Sequence, residues 1–162
     1  MDAASRVWLL QRYARTEPAF LRVNMIASLN GSATGDDGTS NTLSSRLDRR
    51  ILGVIRELCD VVLVGAASVR TEGYVVPAKA ALAVVTASGD LSGHRLDARP
   101  VRDAGAQPVL ILCARSNLAR AEDTAGGHAT ILPLDDEAGD IPVATIVRAL
   151  TERGLTRIVC EG

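Results

Sequence analysis

A chain of 162 residues, 47% hydrophobic but only 2% aromatic, must build a single domain core from Ala, Val, Leu and Ile. Its 18 basic and 19 acidic residues leave a net charge of −1, which gives no basis for binding nucleic acid or a membrane surface. Lys79 is the sole lysine and lies in a loop-like segment, which argues against Schiff-base chemistry, while Cys59, Cys113 and Cys160 are too dispersed for a zinc site or redox pair and read as buried hydrophobes.

From the N-terminus, 1–18 is either an apolar helix face (Val7, Leu9, Leu10, Tyr13) or a loosely docked arm, ended by Pro18, with Trp8 and Tyr13 as packing residues. Residues 22–29, RVNMIASL, alternate as a strand with apolar residues on both sides, which predicts an inner strand. Asn30-Gly31 turns the chain into a polar, Gly-rich loop over 32–41, either a surface loop or a lid beside a site. The clearest helix covers 44–59. Ser44 or Ser45 caps it, and Leu47, Ile51, Val54, Ile55 and Leu58 form one stripe. Arg49 and Arg56 fall together nearly opposite, as two solvated cations or a paired cation for a phosphate or carboxylate.

Residues 60–73, DVVLVGAASVRTEG, read as a buried strand that breaks at Gly65 into a small-residue turn and a short helix. Such a turn is plain connection chemistry or a cradle for an anionic cofactor. Buried strands follow at 82–86, 108–114, 129–134 and 157–161, with a helix over 142–153 stopped by Gly154. Between them, 88–107 is loop-rich with Gly89, Gly93, Pro100 and Gly105, and His94 and His128 read as surface histidines. Arg115 and Ser116 stand at a strand's C-terminal end, where a ribose phosphate is one ligand and capping the next helix is the other use for Ser116. The alternation of strands and helices predicts an α/β fold with a mostly parallel sheet. No apolar run is long enough to span a membrane and no export leader is apparent, so the default location is the cytoplasm.

These segments together resemble the pyrimidine reductase domain of riboflavin biosynthesis over about residues 20–162. The resemblance rests on Ser28-Leu29-Asn30-Gly31, the loop ending near Ser40, the helix carrying Arg56, the run Val64 to Gly73, and Ile158-Val159-Cys160-Glu161-Gly162, in the family's order. It implies a dihydrofolate-reductase-like three-layer fold and NADPH-dependent reduction of a ribosylamino-pyrimidine 5′-phosphate to its ribityl form. It further implies cofactor contacts at Ala27, Thr42, Ser68 and Glu72 with help near Ser116, above a floor at Gly65 and Ala66, and substrate contacts at Ser40, Arg56 and Glu161. The chemistry would need no metal and no nucleophile.

Four departures from the family pattern bear on this. Asn30 replaces an Asp, Glu72 replaces a shorter Asp, and Thr42 stands where many members have Trp. The family also continues beyond Glu-Gly with a phosphate-binding helix and strands that complete the sheet and much of a homodimer contact. The expectation is therefore an incomplete C-terminus, with weak NADPH binding and little turnover by these residues alone. No deaminase motif of the bifunctional members is present. Two other readings stay open: a related pterin or dihydrofolate reductase, and a non-catalytic nucleotide-binding module.

Overall fold

The computed structural model describes residues 2–96, 109–127 and 129–162. Expectations for Pro100, Gly105, Pro108 and His128 lie outside them. Six strands form one all-parallel sheet: β1 (Phe20–Val23), β2 (Val61–Gly65), β3 (Ala81–Thr86), β4 (Val109–Ala114), β5 (Thr130–Leu134) and β6 (Arg157–Cys160), in the order β1-β6-β2-β3-β4-β5. The helices are α1 (Ala3–Tyr13), α2 (Arg46–Glu57), α3 (Ala66–Glu72), α4 (Leu118–Thr124) and α5 (Val143–Thr151).

Parallel strands need crossover helices, and those helices bury both faces of the sheet. Val61 to Val64 are accordingly all buried, with alternate side chains entering two separate cores. Val62 and Val64 join Ile55 of α2 and Val69 of α3 on one face. Val61 and Leu63 join Ile146 and Leu150 of α5 on the other. With almost no aromatics available, the layers close on β-branched and small residues, as the composition requires.

The strand expected over 22–29 is shorter and sits elsewhere. Its ladder with β6 runs from Phe20 to Val23, extended by one bond from Asn24 N–H to the Cys160 carbonyl, and among the described residues β1 is an edge strand rather than an inner one. The pairing stops because β6 itself ends at Cys160. Apolar residues on both sides of β1 therefore do not mean burial on both sides: Val23 is 64% exposed and Met25 beyond it 62%.

Ala3–Tyr13 form a true helix, capped by Asp2, whose Oδ1 accepts from Ser5 N–H. Trp8 does not pack into the core but lies exposed, while Tyr13 is partly buried. Helix α2 starts at Arg46 because Ser45 Oγ accepts the Asp48 amide at 3.0 Å. Leu47, expected in the buried stripe, is 61% exposed: at the second position of α2 it lines a shallow groove with Ala4, Trp8 and Leu9 of α1. Ser45→Ala is expected to destabilise the chain by about 1 kcal/mol. An unchanged urea midpoint would show that the cap contributes nothing.

His94 is half-buried rather than a free surface group, because its Nδ1 accepts the Leu96 amide at 3.1 Å. Cys59 and Cys113 are buried as expected, whereas Cys160 is only half-buried beside the exposed edge strand. Burial, with the nearby Glu161 and Asp60 charges, pushes the Cys59 thiol up to about 11, which leaves it inert.

Candidate active site

Strand order reverses direction around β6. From β2 the chain steps outward through β3, β4 and β5, then crosses back to place β6 between β2 and β1. In open α/β sheets such a reversal opens a crevice beyond the carboxyl ends of the strands. A cleft of about 300 Å³ lies there, at the ends of β1, β6 and β2. One wall is the segment after β1 (Asn24, Met25, Ile26), another is α2 through Asp48, Leu52 and Arg56, and a third is α3 through Ser68 and Glu72. Glu161 and Gly162 form the floor.

The central contact joins α2 to the end of β6. Arg56 Nε donates to Glu161 Oε1 at 2.9 Å and Nη2 donates to Oε2 at 2.5 Å, so the fork is bidentate. Glu161 is 6% exposed and Arg56 23%. Arg56 Nη2 also donates to the Tyr74 hydroxyl at 2.9 Å, and its guanidinium carbon lies 5.1 Å from the Tyr74 ring centre. The helix brings Arg56 here because it sits on the last turn, adjoining the buried pair Val54 and Ile55.

A second contact ties the polar loop to α3. Glu72 Oε1 accepts the Ser40 amide at 3.0 Å and Oε2 accepts the Ser40 hydroxyl at 3.1 Å. The longer Glu arm, in place of the family's Asp, reaches across to hold the loop as one side of the cleft. Within that loop Gly35 is required by close approach, since a Cβ there would come within 1.6 Å of Thr42 Oγ1.

The structure thus gathers Ser40, Arg56, Ser68, Glu72 and Glu161 around one cleft. It does not gather the other expected positions. Ala27 is exposed just beyond the cleft wall, and Thr42 folds back over Gly35. The Gly65 amide is taken by the Gly162 carbonyl at 2.5 Å, and Ala66 is buried. Ser116 lies in a short 3-10 turn after β4. It does not cap α4: its amide and hydroxyl both go to Asp136, at 3.2 and 3.1 Å, and Arg115 pairs with Asp135. The Ser116 amide and hydroxyl hold the Asp136 carboxyl below the usual carboxylate range, which places a negative charge where a ribose phosphate was expected.

Arg49 does not join Arg56. It is exposed, and the paired-cation reading gives way to a single arginine already bound to a carboxylate. Asn30 stays outside the cleft and closes its own turn, accepting a hydrogen bond from Ser28 Oγ. Tyr74 and Asp48 line the cleft without having been singled out in the sequence. The available signal for Tyr74 was its place directly after the Val64–Gly73 run, as one of only two tyrosines.

For a dinucleotide, the cleft offers uncharged polar groups at Ser40, Ser68 and the backbone of Gly162. Ser68 Oγ and the backbone of Gly162 meet closely, and a Cβ on Gly162 would lie 3.7 Å from that oxygen. They do not supply a pyrophosphate clamp. Among the described lining residues Arg56 is the one cation, facing Asp48, Glu72 and Glu161.

Residues 19–162 match the family model described as the RibD C-terminal domain. No curated protein matches the sequence. Among solved structures, the chain is similar to a pyrimidine reductase-like protein from Corynebacterium diphtheriae, at 22% identity and a TM-score of 0.71, covering 95% of this chain and 72% of that one. It is also similar to the riboflavin biosynthesis reductase of Saccharomyces cerevisiae, at 13% identity and a TM-score of 0.64, covering 95% and 69%. A third likeness is to a bifunctional deaminase and 5-amino-6-(5-phosphoribosylamino)uracil reductase from Thermotoga maritima, at 18% identity and a TM-score of 0.59, covering 89% of this chain and 39% of that one. At these identities the likenesses establish the fold.

Proposed function

The chain belongs to the RibD C-terminal domain family, and on that premise we propose that it is an NADPH-dependent reductase of riboflavin biosynthesis. The substrate of this reading is 5-amino-6-(5-phosphoribosylamino)uracil, reduced at the ribose C1 to the ribitylamino form. The observation that carries it is the convergence of Ser40, Arg56, Ser68, Glu72 and Glu161, from four separate segments, at one cleft beyond the strand ends.

NADPH, when bound, supplies the hydride. The chain's own residues then bind, orient and exclude water. Ser68 and the Gly162 backbone would face the nicotinamide end, with Glu72 reaching its ribose from the same side. The Arg56–Glu161 fork would hold the pyrimidine or its ribose chain. Arg56 Nη1 has no partner among the described residues, which leaves its two hydrogens for a ligand to take up.

A second reading has its own observation. Three carboxylates line the cleft around an arginine whose fork is already spent, a setting that favours an N–H-rich heterocycle without a phosphate inside the pocket. A pterin or dihydrofolate would suit it.

Single-turnover assays with the chain in excess, following NADPH absorbance at 340 nm, separate these. Oxidation is expected with the ribosylamino-pyrimidine phosphate. Faster oxidation with dihydrofolate would select the second reading. Binding of NADPH without oxidation by either substrate would leave a nucleotide-binding module.

A further inference from the structure

We propose that Tyr74 is the proton donor of the reduction. The assignment rests on the hydride-transfer reading and supplies what that reading lacks, a source for the second hydrogen. In its open-chain form the ribosylamine is an imine at the ribose C1; reducing that C=N bond needs a hydride at carbon and a proton at nitrogen, and the cleft holds very few groups able to deliver a proton. Its described lining contains no His, Lys or Cys. Arg56 is charged under all working conditions and gives no proton up. Glu161 spends both oxygens accepting from Arg56, and Glu72 spends both accepting from Ser40. Asp48 Oδ2 accepts from Ser44 Oγ. The serine hydroxyls are far weaker acids than a phenol.

Tyr74 is placed to act. It is 9% exposed and lines the cleft beside Arg56. Its oxygen accepts the Arg56 Nη2 hydrogen at 2.9 Å, which turns its own O–H away from the guanidinium. No described protein group accepts that O–H, so its proton is uncommitted. Arg56 is fixed in turn by Glu161, making Glu161 a positioning residue for the donor. The other charges near this segment are Glu72, and Arg95, whose side chain packs against Gly73.

The step balances. The imine carbon takes the hydride of the reduced nicotinamide, which is oxidised, and the C=N π pair moves onto nitrogen. Nitrogen takes the Tyr74 proton, the phenolate is left beside the Arg56 cation, and solvent returns the proton.

Tyr74→Phe keeps the ring, its packing and its contact with Arg56, and removes the hydroxyl alone. It is expected to lower kcat by about a hundredfold or more, the range of general acid catalysis, with a much smaller change in KM. The loss of kcat at alkaline pH that a phenol donor imposes should vanish in the variant. A second readout needs no turnover. In ultraviolet titration at 295 nm, the ionisation step missing from Tyr74→Phe should be the step that moves in Arg56→Gln. A kcat within about threefold of wild type, or a Tyr74 step indifferent to Arg56, would overturn the assignment. If the wild-type chain oxidises no NADPH with either substrate, the hydride-transfer reading fails first, and the donor with it.

Discussion

Arg56→Ala is expected to cost about 3 kcal/mol of folding stability as well as substrate affinity. The argument runs through Glu161. At 6% exposure its carboxylate relies on the bidentate fork of Arg56 for both oxygens. Removing the cation strands a charge that water barely reaches, and that penalty exceeds what the pair contributes when intact. A paired change to apolar residues, Arg56→Met with Glu161→Leu, removes both charges and should recover most of the loss. Urea denaturation of the single and double variants measures both. Equal stability of the single variant and wild type would return Arg56 to a solvated surface. In ligand assays Arg56→Ala should raise KM for the substrate while NADPH affinity changes little, because the proposed cofactor contacts, Ser68 and Glu72, lie on α3 and not on α2.

Asp60 is expected to give the chain much of its sensitivity to acid. It sits at the other end of the same strands, and one carboxylate accepts five hydrogen bonds there, one of them from Thr156 Oγ1 at 3.4 Å. Oδ2 accepts the Thr156 and Arg157 amides at 3.1 and 2.8 Å, and Oδ1 accepts Arg157 Nε and Nη2 at 2.9 and 2.5 Å. Burial alone would raise this carboxyl. The Arg157 side chain and amide, its charge and the Thr156 amide outweigh that and hold it below the usual carboxylate range. A depressed folded-state value means stability that is fully present above the unfolded value near 3.8 and is lost as pH falls through the folded one. Asp60→Asn should therefore destabilise the chain at neutral pH by about 2–4 kcal/mol. The gap from wild type should close as pH falls through the folded-state value, below which the wild-type carboxyl is neutral too. A gap that stays constant across that range would show that the charge is irrelevant.

Much of the sheet is legible in the sequence because its central strands announce themselves. Val61–Val64, Leu82–Val85 and Val109–Cys113 are unbroken apolar runs of strand length, which a sheet covered on both faces demands. The edge strand is less readable. The residues from Arg22 to Leu29 carry the same alternation whether or not a neighbour lies alongside, and the neighbour's own end at Cys160 stops the ladder. The cleft divides in the same way. Positions tied to backbone motifs, such as Ser68 and Glu72, have local signatures. The partnership of Arg56 with Glu161 spans 105 residues, and no periodicity reports it. Tyr74 becomes visible as a site residue only once that pair is in place, and Ser116 is displaced by an aspartate on another loop that nothing near it in sequence betrays.

The position of β6 also bears on how the molecule assembles. Strands β2 to β5 can pair in the order they are synthesised, each finding its predecessor already in place. Strand β1, although made first, has no neighbour until β6 is inserted beside it, well over a hundred residues later. The cost of closing so long a loop precedes any reward from the contact. A nascent chain should thus carry an ordered four-strand half beside a waiting N-terminal segment, and the cleft, shared between the two, should be the last part of the molecule to become competent.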